Sequence, residues 1–315
     1  MKHFLKENDW DNEQIEDVFN LAFDFKHNRN QRPTDHLRGQ TWGMLFFKNS
    51  TRTRVSFEVG INELGGRSLI LDQSSTQIGR GESIADTTRV LSRYLDGLVI
   101  RAHGHDIIEE FSSSSEMPII NALTDFLHPC QIYADCMTIL EKLGSEQNPF
   151  VGLRGKKLTF YGDTACNMAN SWVLMGAMLG MEISLCGPYE FQPKEKIRQL
   201  LQAHNLPHTW TFYDNPEQGA DGAHIVYTDV WVSMGCESEQ DQRKATMSPF
   251  QVNEDTFANA APGCMFMHCM PAHPGEEVCQ TVLDSDRSIL FDQAENRLHM
   301  QKGILAKLSS LSSQN

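Results

Sequence analysis

Ser50-Thr51-Arg52-Thr53-Arg54 puts two guanidinium groups and three hydroxyls within five residues, at a point where a helix begins. Those groups suit a phosphate. Unpaired backbone N–H groups and the positive end of a helix dipole favour an anion at such a start, and an arginine fork can hold two of its oxygens at once. The plainer reading is a Ser/Thr N-cap followed by solvated arginines. A second cluster, His128-Pro129-Cys130-Gln131, sets a histidine and an amide at the mouth of another helix start. A third, Met265-Phe266-Met267-His268-Cys269-Met270-Pro271, is an apolar run that ends in a thiol and is stopped by a proline. Open α/β sheets place ligands at the carboxyl ends of their strands, so a thiol there is a candidate for substrate contact.

The elements that must position these groups alternate along the chain. Trp42 to Phe47 reads as a strand, and Phe57, Ile61 and Leu64 recur beyond it at helical spacing. Ser68 to Leu71, Gly97 to Arg101 and Pro118 to Ala122 read as further strands. Between them, Ser83-Ile84-Ala85-Asp86 has the form of a capping box, with Ile84, Thr88, Leu91 and Leu95 along one helical face. Ile132, Cys136, Ile139 and Leu143 make one face of the helix that His128 opens. This order predicts a parallel sheet. The polar stretch Gly144 to Pro149 reads as a linker, and Ser112 to Ser115 as a loop. A second series of strands follows: Lys157 to Tyr161, Glu182 to Cys186, Thr209 to Tyr213 and Ala223 to Tyr227. Ser288 to Phe291 reads as one more, ahead of a last helix striped by Leu298, Leu305, Leu308 and Leu311. The fold class expected is α/β, with two α/β domains, each a central parallel sheet flanked by helices.

Composition narrows the function. At 315 residues the chain has room for two domains with a core each, and 40% hydrophobic with 22% charged residues describes a soluble globular protein. A formal net charge of −14 with no basic run argues against a nucleic-acid partner, because nothing neutralises successive phosphates. A small anionic substrate then needs local cations, for which Arg52, Arg54, Arg101 and Arg297 are candidates, while an acidic surface does not repel a cationic co-substrate. No apolar segment is long enough to cross a bilayer, and Met1 to Asp9 lacks the sustained apolar run of a signal peptide, which predicts a cytoplasmic protein. The eight cysteines include no C-x-x-C pair, so reduced thiols are expected. Cys264, His268 and Cys269 lie close in sequence, but strand alternation would turn His268 and Cys269 to opposite faces, so no metal site is predicted.

Taken with Asp229-Val230-Trp231-Val232-Ser233-Met234-Gly235, the order and spacing of these clusters resemble the aspartate/ornithine carbamoyltransferase family, its ornithine branch in particular. The similarity runs over nearly the whole chain. Besides the motifs already quoted it takes in Gln77 to Glu82, Arg101, Asp163 to Ser171 and Ala294-Glu295-Asn296-Arg297. It implies an amine attacking the carbonyl carbon of carbamoyl phosphate, without a cofactor, so that two anions must be stabilised: the developing oxyanion and the departing phosphate. The resemblance implies that Ser50, Thr51, Arg52 and Thr53 hold the phosphate with Arg101. Thr53, Arg101 and His128 would donate toward the carbonyl oxygen, and Gln131 would bind the carbamoyl nitrogen. Cys269, Met270 and Arg297 complete the carbamoyl phosphate set. Gln77 occupies the place from which this family reaches into a neighbouring subunit, which implies a homotrimer.

For L-ornithine, Asp229 at a strand end is placed to pair with the α-ammonium, and the Asn167 amide suits the α-carboxylate. Ser233 and Met234 would cover the substrate, with Gly235 as a hinge. Cys269 would contact the reacting amine and the carbamoyl group through its thiol and backbone carbonyl, while the amine itself is the nucleophile. The domains implied are a carbamoyl phosphate-binding domain over 1–145, completed by a C-terminal helix 293–315, and an ornithine-binding domain over 150–292. The product would be L-citrulline, within arginine metabolism.

Three departures from the family pattern stand out. Phe47 replaces a common Glu, Cys166-Asn167 replaces two Asn, and Pro274 replaces an Arg that many members have. Asn167 keeps the side chain the reading needs, whereas Phe47 removes an expected carboxylate partner of the Arg-rich turn. Two rivals stay open: the same scaffold acting on putrescine, N-acylated ornithine or aspartate, and a non-catalytic carbamoyl phosphate-binding protein. A free α-amino group gives Asp229 something to pair with, which favours ornithine.

Overall fold

Buried on both faces, most strands of this protein are continuous apolar runs rather than alternating ones, as parallel strands covered by helices should be. The computed structural model describes residues 3–48, 50–72, 76–78, 81–144, 148–208, 210–232 and 237–313. The chain divides into two compact units, one formed by Met1–Gly152 with Glu295–Asn315 and the other by Leu153–Ala294.

In the first unit, α1 (Asn12–His27) leads to β1 (Thr41–Phe46), α2 (Thr51–Glu63), β2 (Arg67–Asp72), α3 (Ile84–Leu91), β3 (Gly97–Arg101), α4 (His105–Ser113), β4 (Ile119–Leu123), α5 (Pro129–Lys142) and the short α6 (Pro149–Gly152). The strands pair in parallel in the order β2-β1-β3-β4. The chain leaves β1 to one side and returns to the other, so β1 and β3 form a topological switch point, where open α/β sheets carry ligands beyond the carboxyl ends of their strands. Ser50 follows β1 and Arg101 ends β3, which brings both to that edge of the sheet. A register shift against β4 falls between Ile100 and Arg101, a local irregularity of the kind that re-aims a side chain.

Local chemistry explains the helix boundaries. Ser83 caps α3, its hydroxyl accepting the Asp86 N–H at 3.0 Å and donating to Asp86 Oδ2 at 2.8 Å. α5 differs from the one-faced helix expected: Pro129 to Leu140 are all buried, and Leu143 lies exposed beyond the end of the helix. The stretch read as a linker contains a helical turn at Pro149–Gly152, where proline suits a first helical position, while Ser145 to Gln147 lie outside the described residues.

The second unit runs β5 (Lys157–Tyr161), α7 (Asn167–Leu179), β6 (Glu182–Cys186), α8 (Glu195–Ala203), β7 (Trp210–Tyr213), α9 (Pro216–Gly219), β8 (Ile225–Thr228), α10 (Gln240–Met247), β9 (Met265–His268) and α11 (Gln280–Leu283). Its parallel order is β7-β6-β5-β8-β9, with the switch point between β5 and β8. Asn167 opens the helix after β5, and Asp229 directly follows β8. Thr209, expected to begin a strand, lies outside the described residues.

The strand expected at Ser288 to Phe291 does not form. Phe266 N–H bonds the Arg287 carbonyl and Ile289 N–H bonds the Phe266 carbonyl, an isolated bridge centred on Ser288, and α12 (Leu290–Ser313) then begins. Asp292 in its first turn complements the helix dipole, and Phe291, which a central strand would bury, is 82% exposed. From Glu295 onward α12 belongs to the first unit, and Asn296 to Ala306 are buried there. Gly303 permits this: a Cβ on it would lie 2.7 Å from the Val18 carbonyl oxygen of α1. Lys302 Nζ bonds Glu63 Oε2 at 2.9 Å, which fixes α12 against α2. Among the described residues, no helix is long and apolar enough to cross a membrane.

Candidate active site

Ser50 sits where β1 hands over to α2, in extended backbone (φ −155°, ψ 111°), and its side chain makes no cap hydrogen bond. Ser50 is thus the N-cap residue of α2 without the side-chain capping bond that the plainer reading expects, and a helix start of this kind suits an anion. Thr51, Arg52 and Arg54 are exposed, while Thr53 is buried. Arg297 of α12 donates from Nη2 to Thr53 Oγ1 at 2.8 Å, and Arg101 donates from Nη1 to Ser50 Oγ at 3.4 Å. One guanidinium from β3 and one from α12 thus converge on the Ser50–Thr53 turn.

His128, 3% exposed, is the residue before the first turn of α5. Burial, reinforced by the positive fields of Arg297 and Arg101, holds its imidazole well below the usual histidine range. At neutral pH it is an uncharged ring with one N–H to donate. Gln131, 1% exposed, donates from Nε2 to Asp135 Oδ1 at 2.8 Å, and its Oε1 is buried without a hydrogen-bond partner among the described residues. That oxygen can only accept, so it suits an incoming NH2 group. The half-site therefore offers positive charge and neutral donors to an anion, with one acceptor at its side.

Phe47 brings no carboxylate to the Arg-rich turn. Its ring packs on the apolar cluster of Leu45, Leu98 and Ile100, and its N–H bonds the Arg101 carbonyl at 3.0 Å. Gln77 is exposed after β2, next to Gly79 and Arg80, which lie outside the described residues.

In the second unit, Asp229 Oδ1 accepts the Val230 N–H at 2.8 Å and the Cys269 thiol at 3.1 Å. Burial pushes the Asp229 carboxyl above the usual carboxylate range, against the opposing effects of His268, the thiol and the Val230 N–H. An acid in that state gains most from an ammonium partner. Asn167 is the half-buried first residue of α7, preceded by Cys166, whose thiol burial raises far above the ordinary range. Ser233 and Met234, expected to cover an acceptor, lie outside the described residues, as does Gly235.

Strand alternation misjudged Cys269. β9 ends at His268, and the chain turns at Met270, whose φ of +63° is left-handed and rare for a side chain of this kind. The donor atoms of Asp229, His268 and Cys269 consequently lie within 4.8 Å of one another. They do not offer a metal three ligands. His268 Nδ1 accepts the Met270 N–H at 2.8 Å, which leaves the proton on Nε2, and Nε2 donates to Glu277 Oε1 at 3.1 Å. Burial alone would raise the Glu277 carboxyl, yet the bonds from His268 and the His273 N–H hold it below the usual range. Both side chains are 0% exposed, so this pair braces the strained turn that carries Cys269. Pro274 stands exposed on the connection that follows.

The sequence reading missed Glu277 and Arg243, which bonds Asp163 Oδ2, four residues before Asn167, at 2.9 Å. Arg243 lies four residues after Glu239 and pairs with it, a spacing common on solvated helices, so no local signal distinguishes it.

Two family models match the chain. The one described as aspartate/ornithine carbamoyltransferase, carbamoyl-P binding domain, covers residues 2–141, and the Asp/Orn binding domain of the same family covers 154–308. An ornithine carbamoyltransferase of Syntrophotalea carbinolica is 45% identical over 308 residues, covering 98% of this chain and 99% of that protein. One from Geobacter sulfurreducens is 41% identical over 309 residues, covering 98% and 99%. The solved structure of the ornithine carbamoyltransferase from Pyrococcus furiosus superposes with a TM-score of 0.88 at 42% identity, over 97% of this chain and 96% of that one.

Proposed function

Since the chain belongs to the aspartate/ornithine carbamoyltransferase family, we infer that it transfers the carbamoyl group of carbamoyl phosphate to the δ-amine of L-ornithine, giving L-citrulline and phosphate. The observation that carries this reading is the convergence of Arg101, Arg297 and the neutral His128 on an uncapped helix start. In this reading the phosphate rests on Ser50, Thr51, Arg52 and Thr53, and the carbonyl oxygen takes donors from Thr53, Arg101 and His128. Gln131 Oε1 accepts from the carbamoyl nitrogen. Asp229 pairs with the α-ammonium, Asn167 with the α-carboxylate, and Ser233 and Met234 cover the substrate. The δ-amine attacks the carbonyl carbon, an N–C bond forms, and the C–O bond to phosphate breaks as the amine loses its proton. Cys269 and Met270 attend the reacting nitrogen. Purified protein given carbamoyl phosphate and L-ornithine should release phosphate and citrulline in equal amounts. Binding of carbamoyl phosphate without release would instead make the chain a binding protein.

The reading extends to assembly: a cytoplasmic homotrimer in which Gln77 completes a neighbour's site. Support comes from the first unit, where β2 is an edge strand and Leu69, Val55, Val90 and Tyr94 are exposed, an apolar set that favours burial against another chain. Subunits carrying Arg101→Ala mixed with subunits carrying Gln77→Ala should recover activity that neither has alone, because some interfaces then combine two intact contributions. Mixed trimers that stay inactive would remove Gln77 from the site.

A further inference from the structure

We propose that Arg243 is a positioning residue of the acceptor half-site, its guanidinium tying the turn that leads to Asn167 to the turn that presents Asp229. The proposal rests on the acceptor reading above. β5 and β8 pair only as far as Tyr161 and Thr228, where the Thr228 hydroxyl also donates to the Tyr161 carbonyl at 2.9 Å. Beyond that point the two chains diverge toward Asn167 and Asp229 without a ladder between them. Arg243 spans the gap. From α10 its Nη1 donates to Asp163 Oδ2 at 2.9 Å and, at 3.4 Å, to the carbonyl of Trp231, two residues past Asp229.

Each of those acceptors organises its own turn. Asp163 Oδ1 accepts the Ala165 N–H at 3.0 Å and the Asp163 carbonyl accepts the Cys166 N–H at 3.3 Å, which shapes the approach to Asn167. Trp231 is 3% exposed and lies against Gly162, where a Cβ would sit 3.2 Å from the indole and φ is +102°. The guanidinium itself is held in place: Nε donates to Glu239 Oε2 at 2.9 Å, its plane lies 5.0 Å from the Phe191 ring centre, and the side chain is only 13% exposed. Only a planar fork meets these directions together; an ammonium offers charge without them. Burial raises the Asp163 carboxyl, and the Arg243 bond opposes that rise.

The test is steady-state kinetics on the intact protein with Arg243→Gln and Arg243→Lys. Arg243→Gln should raise KM for ornithine at least tenfold and leave KM for carbamoyl phosphate within twofold of wild type. Arg243→Lys, which keeps the charge, should recover part of the loss. An unchanged ornithine KM in Arg243→Gln, a parallel rise in both KM values, or no difference between the two variants would overturn the proposal. So would failure of both variants to fold, which would place Arg243 in the scaffold alone. Wild-type protein that does not carbamoylate ornithine would overturn the functional reading and this inference together, whereas an active wild type with an unaffected variant sinks only the inference.

Discussion

Arg101→Ala and His128→Ala should each lower kcat by about 10²- to 10³-fold, roughly 3–4 kcal/mol of barrier, with the fold intact. On the proposed reading each removes a donor to the oxygen that gains charge as the amine adds. The magnitude follows from where the groups lie: His128 is buried, so its contribution is not diluted by water as a surface charge would be, and the Arg101 fork reaches the Ser50 turn from the end of β3. His128→Gln, which keeps an N–H donor, should lose less than His128→Ala.

The pH dependence separates the imidazole from the substrate amine. Burial, Arg297 and Arg101 depress the folded pKa of His128, so the unfolded chain takes up the proton first as pH falls below about 6.5. Stability attributable to this residue is therefore present above that value and declines as pH drops toward the lower folded value. Between neutrality and mild alkali the imidazole stays neutral, and the rate at subsaturating ornithine should rise with pH until the free δ-amine is deprotonated. Near-normal turnover in both alanine variants would refute the assigned roles.

Asp229→Asn should cost ornithine at least about 100-fold in kcat/KM, roughly 3 kcal/mol, because on the proposed reading the carboxylate takes the α-ammonium where burial already disfavours its charge. On the reading proposed here the rival acceptors should fare worse. N-acetylornithine lacks the α-ammonium and would leave Asp229 without a cationic partner. Putrescine has no α-carboxylate for Asn167 and no asymmetry by which one amine is held while the other attacks. Aspartate brings a second carboxylate toward Asp229. Binding of carbamoyl phosphate in Asp229→Asn should match wild type, since the phosphate-binding residues come from other strands. A loss of both affinities would show that the substitution disturbed more than the acceptor pairing.

Local pattern made the strand and helix order legible, and with it the motifs beyond the carboxyl ends of β1, β3, β4, β8 and β9. Ser50, Arg101, His128 and Asp229 stand at those ends because parallel strands joined by helices present their loops on one edge of the sheet. Less legible were features that depend on distant partners. Ser288 to Phe291 has a strand's composition, yet only a bridge to Phe266 is available and the helix start at Asp292 prevails. Cys269 escaped strand alternation because Met270 turns the backbone, a conformation braced by Glu277 nine residues away from His268. Arg243 reads as an ordinary helix charge until Asp163, eighty residues earlier, is seen beside it.

The most direct measurement is kcat/KM for ornithine, putrescine, N-acetylornithine and aspartate, each with carbamoyl phosphate, on the wild type and on Asp229→Asn. Ornithine should exceed the other three by at least about 100-fold on the wild type and lose most of that lead in the variant. Putrescine or N-acetylornithine matching ornithine on the wild type, or Asp229→Asn leaving ornithine unchanged, would contradict the assignment of ornithine as the acceptor that Asp229 selects.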